Sequence, residues 1–180
     1  TTMQNKPKAT LYIKTTVGAF LLESSPQGLT RCEVLEGAPS PIEQPNPSNT
    51  DTLLHQAADE LQAYLEGSLK AFSVPLDLTD LSSFQQKVFT EVRQIPWGEV
   101  LTYAQVAAQI GQPKAARAVG TALAHNLLML FIPCHRVIGY DGQLHGFSAP
   151  QGVALKAWLL AHEGHAVVDN TVPSKSLKGA

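Results

Sequence analysis

Thr102-Tyr103-Ala104-Gln105-Val106-Ala107-Ala108-Gln109-Ile110-Gly111-Gln112-Pro113-Lys114-Ala115-Ala116-Arg117-Ala118-Val119-Gly120 reads as two helix beginnings separated by one helix end. Thr102 followed three residues later by Gln105 is a capping box, in which the threonine hydroxyl accepts the Gln105 N–H and the glutamine reaches back to the Thr102 N–H. The short helix it opens runs through Ile110, and Gly111 ends it. Pro113 suits the first turn of a second helix, where its fixed φ and missing N–H do no harm. The spacing predicts that helix from Lys114 to about His125. Two helices of this length around the turn Gly111-Gln112-Pro113 have the outline of a helix-turn-helix, an outline that any tight helical hairpin shares.

On the N-terminal side, Ser82-Ser83-Phe84-Gln85 is another capping box. Phe84, Val88, Val92 and Ile95 make the apolar stripe of the helix it opens, and Pro96 and Gly98 stop that helix. On the C-terminal side stands Ile132-Pro133-Cys134-His135-Arg136-Val137-Ile138. It fixes a cysteine between a rigid proline and an imidazole, in a chain whose other cysteine is Cys32. Such a thiol is a constrained core residue or a nucleophile. A nearby histidine is a usual way of making thiolate available near neutral pH, but Cys/His pairs usually meet through the fold rather than as neighbours in sequence.

The N-terminal part reads differently. Thr10 to Lys14 and Ala19 to Glu23 are short strands joined by a turn, and a third strand lies near Leu29 to Leu35. Residues 37–50 carry Pro39, Pro41, Pro45 and Pro47 among Ser and Asn, which suits a linker rather than either regular ladder. A helix follows from about Thr52 to Glu66, with Leu54, Ala58, Leu61 and Leu65 on one face. The fold class is α+β. The expected organisation is a strand-rich domain over 1–80, a helical domain over 81–165 and a flexible, period-free tail over 166–180.

At 180 residues and 44% hydrophobic composition, the chain has enough apolar material for a real core. No apolar run reaches the length of a membrane span, and Thr1 to Lys14 lacks a signal-peptide apolar stretch. Two cysteines far apart build neither a disulfide framework nor a zinc cluster, so a reducing, cytoplasmic setting without metal or cofactor is expected. The net charge of −2 hides an asymmetry. Residues 1–66 hold 4 Lys/Arg against 8 Asp/Glu, whereas residues 85–136 hold 5 (Lys87, Arg93, Lys114, Arg117, Arg136) against Glu91 and Glu99. A solvated mixed face explains that local excess as well as a phosphate footprint does.

The order Phe84-Gln85, Ile95-Pro96-Trp97-Gly98-Glu99, Thr102-Tyr103, Ile110-Gly111, Ala116-Arg117-Ala118-Val119-Gly120, Asn126, Ile132-Pro133-Cys134-His135-Arg136-Val137 and Lys156 through Leu159-Leu160-Ala161-His162-Glu163 resembles the O6-alkylguanine-DNA alkyltransferases. The likeness is close from about Leu53 to Gly164, and the N-terminal strands fit that family's ribonuclease-H-like domain more loosely. It implies a C-terminal winged helix-turn-helix domain that carries the active site.

The implied reaction is single-use, irreversible transfer of an alkyl group from O6-alkylguanine, and from O4-alkylthymine, to Cys134. In the family the thiol reaches its base through a water held by the motif histidine, here His135, while Glu163 fixes the imidazole tautomer and Asn126 braces the hinge. A base in a duplex must be flipped out to be reached. By resemblance Arg117 fills the gap, Tyr103 presses on the flipped nucleotide, and Ala116 and Ala118, with Ala115 and Ala122, let the helix enter the minor groove. Arg136, Val137 and Ser148 complete the implied DNA- and base-binding set. The implied partner is double-stranded DNA containing alkylated bases, met by a monomer, with no membrane.

Departures from the family pattern are Leu127 after Asn126, in place of proline, and Phe147-Ser148-Ala149-Pro150 over the base pocket. Met129 and Ala149 stand where members that accept bulky groups have proline and glycine. Two other readings are a non-catalytic lesion sensor, a kind of protein that replaces the acceptor cysteine, and a helix-turn-helix transcription regulator. Family members that regulate transcription add a cysteine-rich zinc module, which two cysteines cannot build.

Overall fold

The computed structural model describes residues 9–36, 52–145 and 152–173, which fall into two compact units divided between Asp80 and Leu81. In the first unit, β1 (Ala9–Thr15), β2 (Gly18–Ser25) and β3 (Gly28–Val34) pair antiparallel in the order β1-β2-β3. Phe20, Leu22, Leu29 and Cys32 are buried, and α1 (Thr52–Leu65) buries Leu54, Ala57, Leu61, Tyr64 and Leu65. Ala57 rather than Ala58 faces inward, one position from the expected stripe.

Gly28 is where the returning chain comes closest. A Cβ there would lie 2.7 Å from the Pro75 oxygen, so only glycine lets Leu29 bond both Pro75 and Asp77. The expected linker at 37–50 lies outside the described residues.

The second unit contains α2 (Ser83–Arg93), β4 (Leu101–Thr102), α3 (Tyr103–Gln109), α4 (Ala116–Ala124), β5 (Val137–Ile138) and α5 (Val153–His162). Both capping boxes form. Ser82 and Thr102 accept the N–H groups of Gln85 and Gln105, whose side chains answer at 3.2 and 2.8 Å. Gly111, at φ +77°, ends α3 in the left-handed region that side chains avoid. Pro113 to Ala115 remain a turn, so α4 starts at Ala116, two residues later than Pro113 suggests.

α4 buries Val119, Ala122 and Leu123 and leaves Arg117, Ala118, Thr121 and Ala124 exposed. Ala122 is therefore a core residue and not part of a groove-facing alanine surface. The reason is its place beside Leu123 on the apolar face.

Two features were not legible in the sequence. β4 and β5 pair in parallel over two residues each, Leu101 with Val137 and Thr102 with Ile138, which ties the start of α3 to the segment after Cys134. The expected tail is also ordered through Pro173: Val172 is fully buried with Val100, Ile138, Leu144 and Leu160. Asp169 and Asn170, at φ +48° and +55°, turn the chain so that Val172 and Gly142 bond through Val172 N–H at 2.9 Å. One apolar residue after a tight turn leaves no periodicity to detect. Residues 174–180 lie outside the described set.

Candidate active site

Pro133 fixes the chain ahead of a single 3₁₀ turn, Cys134–Arg136, which leads directly into β5. The cysteine N–H bonds the Ile132 carbonyl at 2.7 Å and the Arg136 N–H bonds that of Pro133 at 2.9 Å. Asn126, just past the end of α4, pins this loop with one amide. Its Nδ2 donates to the Ile132 carbonyl at 3.0 Å and to Cys134 Sγ at 3.3 Å, and its Oδ1 accepts the Leu128 N–H at 2.9 Å. Burial pushes the Cys134 thiol above its ordinary value. The Asn126 amide, the Lys156 ammonium and the N–H groups of Cys134 and His135 pull it back without overcoming burial.

The turn throws the next two side chains onto Glu163. His135 Nε2 meets Glu163 Oε2 at 2.5 Å, and Arg136 holds the same carboxylate through Nε at 2.7 Å and Nη2 at 3.1 Å. Arg136 also donates to the Ile95 carbonyl at 2.5 Å. Burial opposes ionisation of Glu163, but the hydrogen bonds from His135 and Arg136, together with the Arg136 charge, outweigh it and hold the carboxyl well below its usual range. Burial keeps His135 neutral, with Glu163 acting in the opposite direction. A neutral imidazole beside a carboxylate donates from Nε2, so the lone pair falls on Nδ1, which has no hydrogen-bond partner among the described residues. An imidazole in that state is set up to accept a proton.

Lys156 belongs to the same cluster. It is 1% exposed, its Nζ donates to the Val137 carbonyl at 2.7 Å, and it lies 5.9 Å from the centre of the Tyr103 ring. Burial pushes its pKa down to about 8, while Cys134 acts in the opposite direction. Tyr103, the first residue of α3, is pushed up to about 12 by burial and by the charge of Cys134. Its ring lies beside Gly120 of α4, where a Cβ would come within 3.7 Å of it.

The structure thus brings Cys134, His135, Asn126, Glu163 and Tyr103 together, with Arg117, Ala116 and Ala118 on the neighbouring α4. Arg136 and Val137, which the resemblance assigns to DNA or base contact, are placed otherwise. Arg136 is 5% exposed with its guanidinium engaged by Glu163 and Ile95, and Val137 is fully buried and offers its carbonyl to Lys156. A buried guanidinium with satisfied donors is bound to the protein, not to phosphate. Ser148 lies outside the described residues, as do Phe147, Ala149 and Pro150. Lys156 had a signal in the sequence: it stands at i, with Leu159 and Leu160 at i+3 and i+4, on the buried face of α5. A charged residue on an apolar stripe marks a buried partner.

The chain matches two family models in succession, the ribonuclease-like domain of 6-O-methylguanine DNA methyltransferase over residues 9–78 and its DNA binding domain over 83–165. The methylated-DNA–protein-cysteine methyltransferase of Methanosarcina acetivorans is 38% identical over 149 residues, covering 82% of this chain and 93% of that protein. The crystal structure of Mycobacterium tuberculosis O6-methylguanine methyltransferase superposes with a TM-score of 0.75 at 38% identity, covering 87% of this chain and 93% of the other. Mycobacterium tuberculosis OGT in complex with DNA superposes with a TM-score of 0.73 at 39% identity, covering 86% and 92%. With both domain models matched in order, and the motif cysteine seated against His135, Asn126 and Lys156, the chain belongs to the 6-O-methylguanine DNA methyltransferase family.

Proposed function

We propose that this chain repairs DNA by moving the alkyl group of O6-alkylguanine onto Cys134 Sγ, once per molecule. The observation that carries the assignment is the buried thiol's company: an amide N–H from Asn126 on the sulfur, the Lys156 ammonium, and an imidazole with a free Nδ1 held by Glu163. A water between His135 Nδ1 and Sγ carries the thiol proton away. The thiolate attacks the alkyl carbon in line, the carbon–oxygen bond breaks, and its electron pair passes to O6 of guanine, which regains a proton from its surroundings. Glu163 stabilises the imidazolium that forms, and Arg136, a permanent cation, keeps Glu163 ionised. The thioether formed is stable, so no second turnover follows.

Reaching the buried sulfur requires the nucleotide to leave the stack. Arg117, exposed on α4, fills the vacated space, and Tyr103 presses on the flipped nucleotide. Ala116 and Ala118 present little bulk beside Arg117, which suits the minor groove. The same transfer to Cys134 would take O4-alkylthymine, and the chain acts as a monomer in the cytoplasm. No helix among the described residues is long and apolar enough to cross a membrane.

The experiment is digestion and mass spectrometry after mixing the protein with duplex DNA bearing one O6-methylguanine. One methyl per chain is expected on the Cys134 peptide, none on Cys32, and none at all after Cys134→Ser. Cys32 is a suitable internal control, because burial and then the Glu33 charge push its thiol far above the ordinary value and leave it protonated. Label on Cys32, or more methyl groups removed than protein supplied, would overturn the assignment.

A further inference from the structure

Glu163 must be held somewhere a carboxylate does not naturally rest. It caps the C-terminal end of α5, where free carbonyls make negative charge unfavourable, and its side chain turns inward to His135 and Arg136. The residue before it, His162, lies between the chain's two tryptophans. Trp158, one turn earlier on α5, stacks on the imidazole at 5.0 Å with planes 10° apart, and Trp97 meets it edge-on at 5.2 Å and 66°. Trp97 is in the turn after α2 that also supplies the Ile95 carbonyl to Arg136, and a Cβ on its neighbour Gly98 would sit 3.7 Å from the Glu163 carbonyl. The turn at 95–98 therefore grips the end of α5 twice, through Arg136 and Glu163 on the inside and through the aromatic stack on the outside.

We propose that Trp97, His162 and Trp158 are positioning residues for the transfer reaction: their stack fixes the end of α5 so that one Glu163 oxygen stays on His135 Nε2 while the other stays on Arg136. Offset and edge-to-face rings resist sliding and rotation, which suits a brace for the adjacent residue. The inference rests on the reading of Glu163 as the partner of His135 in the reaction. If the stack is lost, the fold and the DNA surface on α4 remain, but the imidazole is oriented less well and is a weaker base.

The test is single-turnover methyl transfer from duplex DNA across pH, with tryptophan emission as a direct report on the stack. His162→Ala is expected to slow transfer on the order of 10- to 100-fold, as small misplacements of reacting groups do. Duplex affinity should be unchanged, and the rising limb of the rate should shift to higher pH because the thiol ionises with less help. The charges facing His135 are those of Glu163, Arg136 and Lys156, with His165 facing Glu163, and none of them is altered. His162→Phe, which restores a ring between the indoles, should recover most of the rate. In a Glu163→Gln background His162→Ala should have no further effect, since a residue that acts through Glu163 cannot act without it.

Additive losses in the double variant, an unshifted pH profile, or failure of a folded His162→Phe to recover the rate would overturn the proposal. Should His162→Ala not fold, Trp158→Leu, at a position 40% exposed, carries the same comparisons. A wild-type protein that transfers nothing would instead sink the assigned reaction, whereas wild-type rates in His162→Ala would sink the brace alone.

Discussion

Lys156 is the residue whose charge most needs an explanation, because a buried ammonium is costly and a methionine would fill the same space. Its Nζ satisfies the Val137 carbonyl, but a hydroxyl or amide could do that without charge. What only a cation supplies is attraction for the Cys134 thiolate, against burial that pushes the thiol up. Removing the ammonium therefore raises the thiol pKa, lowers the thiolate fraction at a given pH, and slows transfer. A nearby opposite charge is worth about 1 to 3 pKa units, so Lys156→Met is expected to lose roughly tenfold or more at neutral pH. Because Lys156 itself loses its proton near pH 8, the wild-type advantage should shrink above that value. Single-turnover rates of both proteins from pH 6 to 9 measure it, and a ratio independent of pH would show that Lys156 serves packing only.

α3 and α4 are the elements the sequence announced best, since capping boxes and Gly111 are local devices whose partners lie within a turn. What local signals cannot give is which face of α4 meets the core. Ala115, Ala116, Ala118 and Ala122 look alike in the sequence, and only packing separates buried Ala122 from exposed Ala118. The two-residue pairing of β4 with β5 was hidden for the opposite reason, being long-range and too short for any period. The same hairpin sets the expectation for Arg117, which the structure leaves exposed near the Gly120–Tyr103 contact. If it fills the space of a flipped nucleotide, Arg117→Ala should slow repair in duplex DNA strongly and leave transfer from the free modified base nearly unchanged, because only the duplex has to be opened. Parallel rate measurements on the two substrates decide it. Equal losses would make Arg117 a residue of the fold.

Across the whole chain, counting charges in the sequence gives a misleading picture of the DNA surface. The basic excess in residues 85–136 includes Arg136, which is buried on Glu163, and the next cation along, Lys156, is buried on Val137. Of the described cations in the second unit, Lys87 and Arg93 sit on α2, and only Lys114 and Arg117 belong to the α3–α4 hairpin. Sequence could locate these residues but not tell which had been spent internally, because burial is a property of the folded chain. A hairpin that approaches DNA with alanines and two cations displaces few counterions. Each neutralised phosphate contributes about 0.9 to the slope of log K against log salt on duplex DNA, so the expected slope is about −2. Lys114→Ala and Arg117→Ala should each flatten it by about 1. Anisotropy titrations of unmodified duplex with Cys134→Ser, over roughly 50 to 200 mM salt, give the slope without interference from transfer. A slope steeper than about −5 would mean that the duplex lies across many more cations than this hairpin presents, and that α4 is not the main contact.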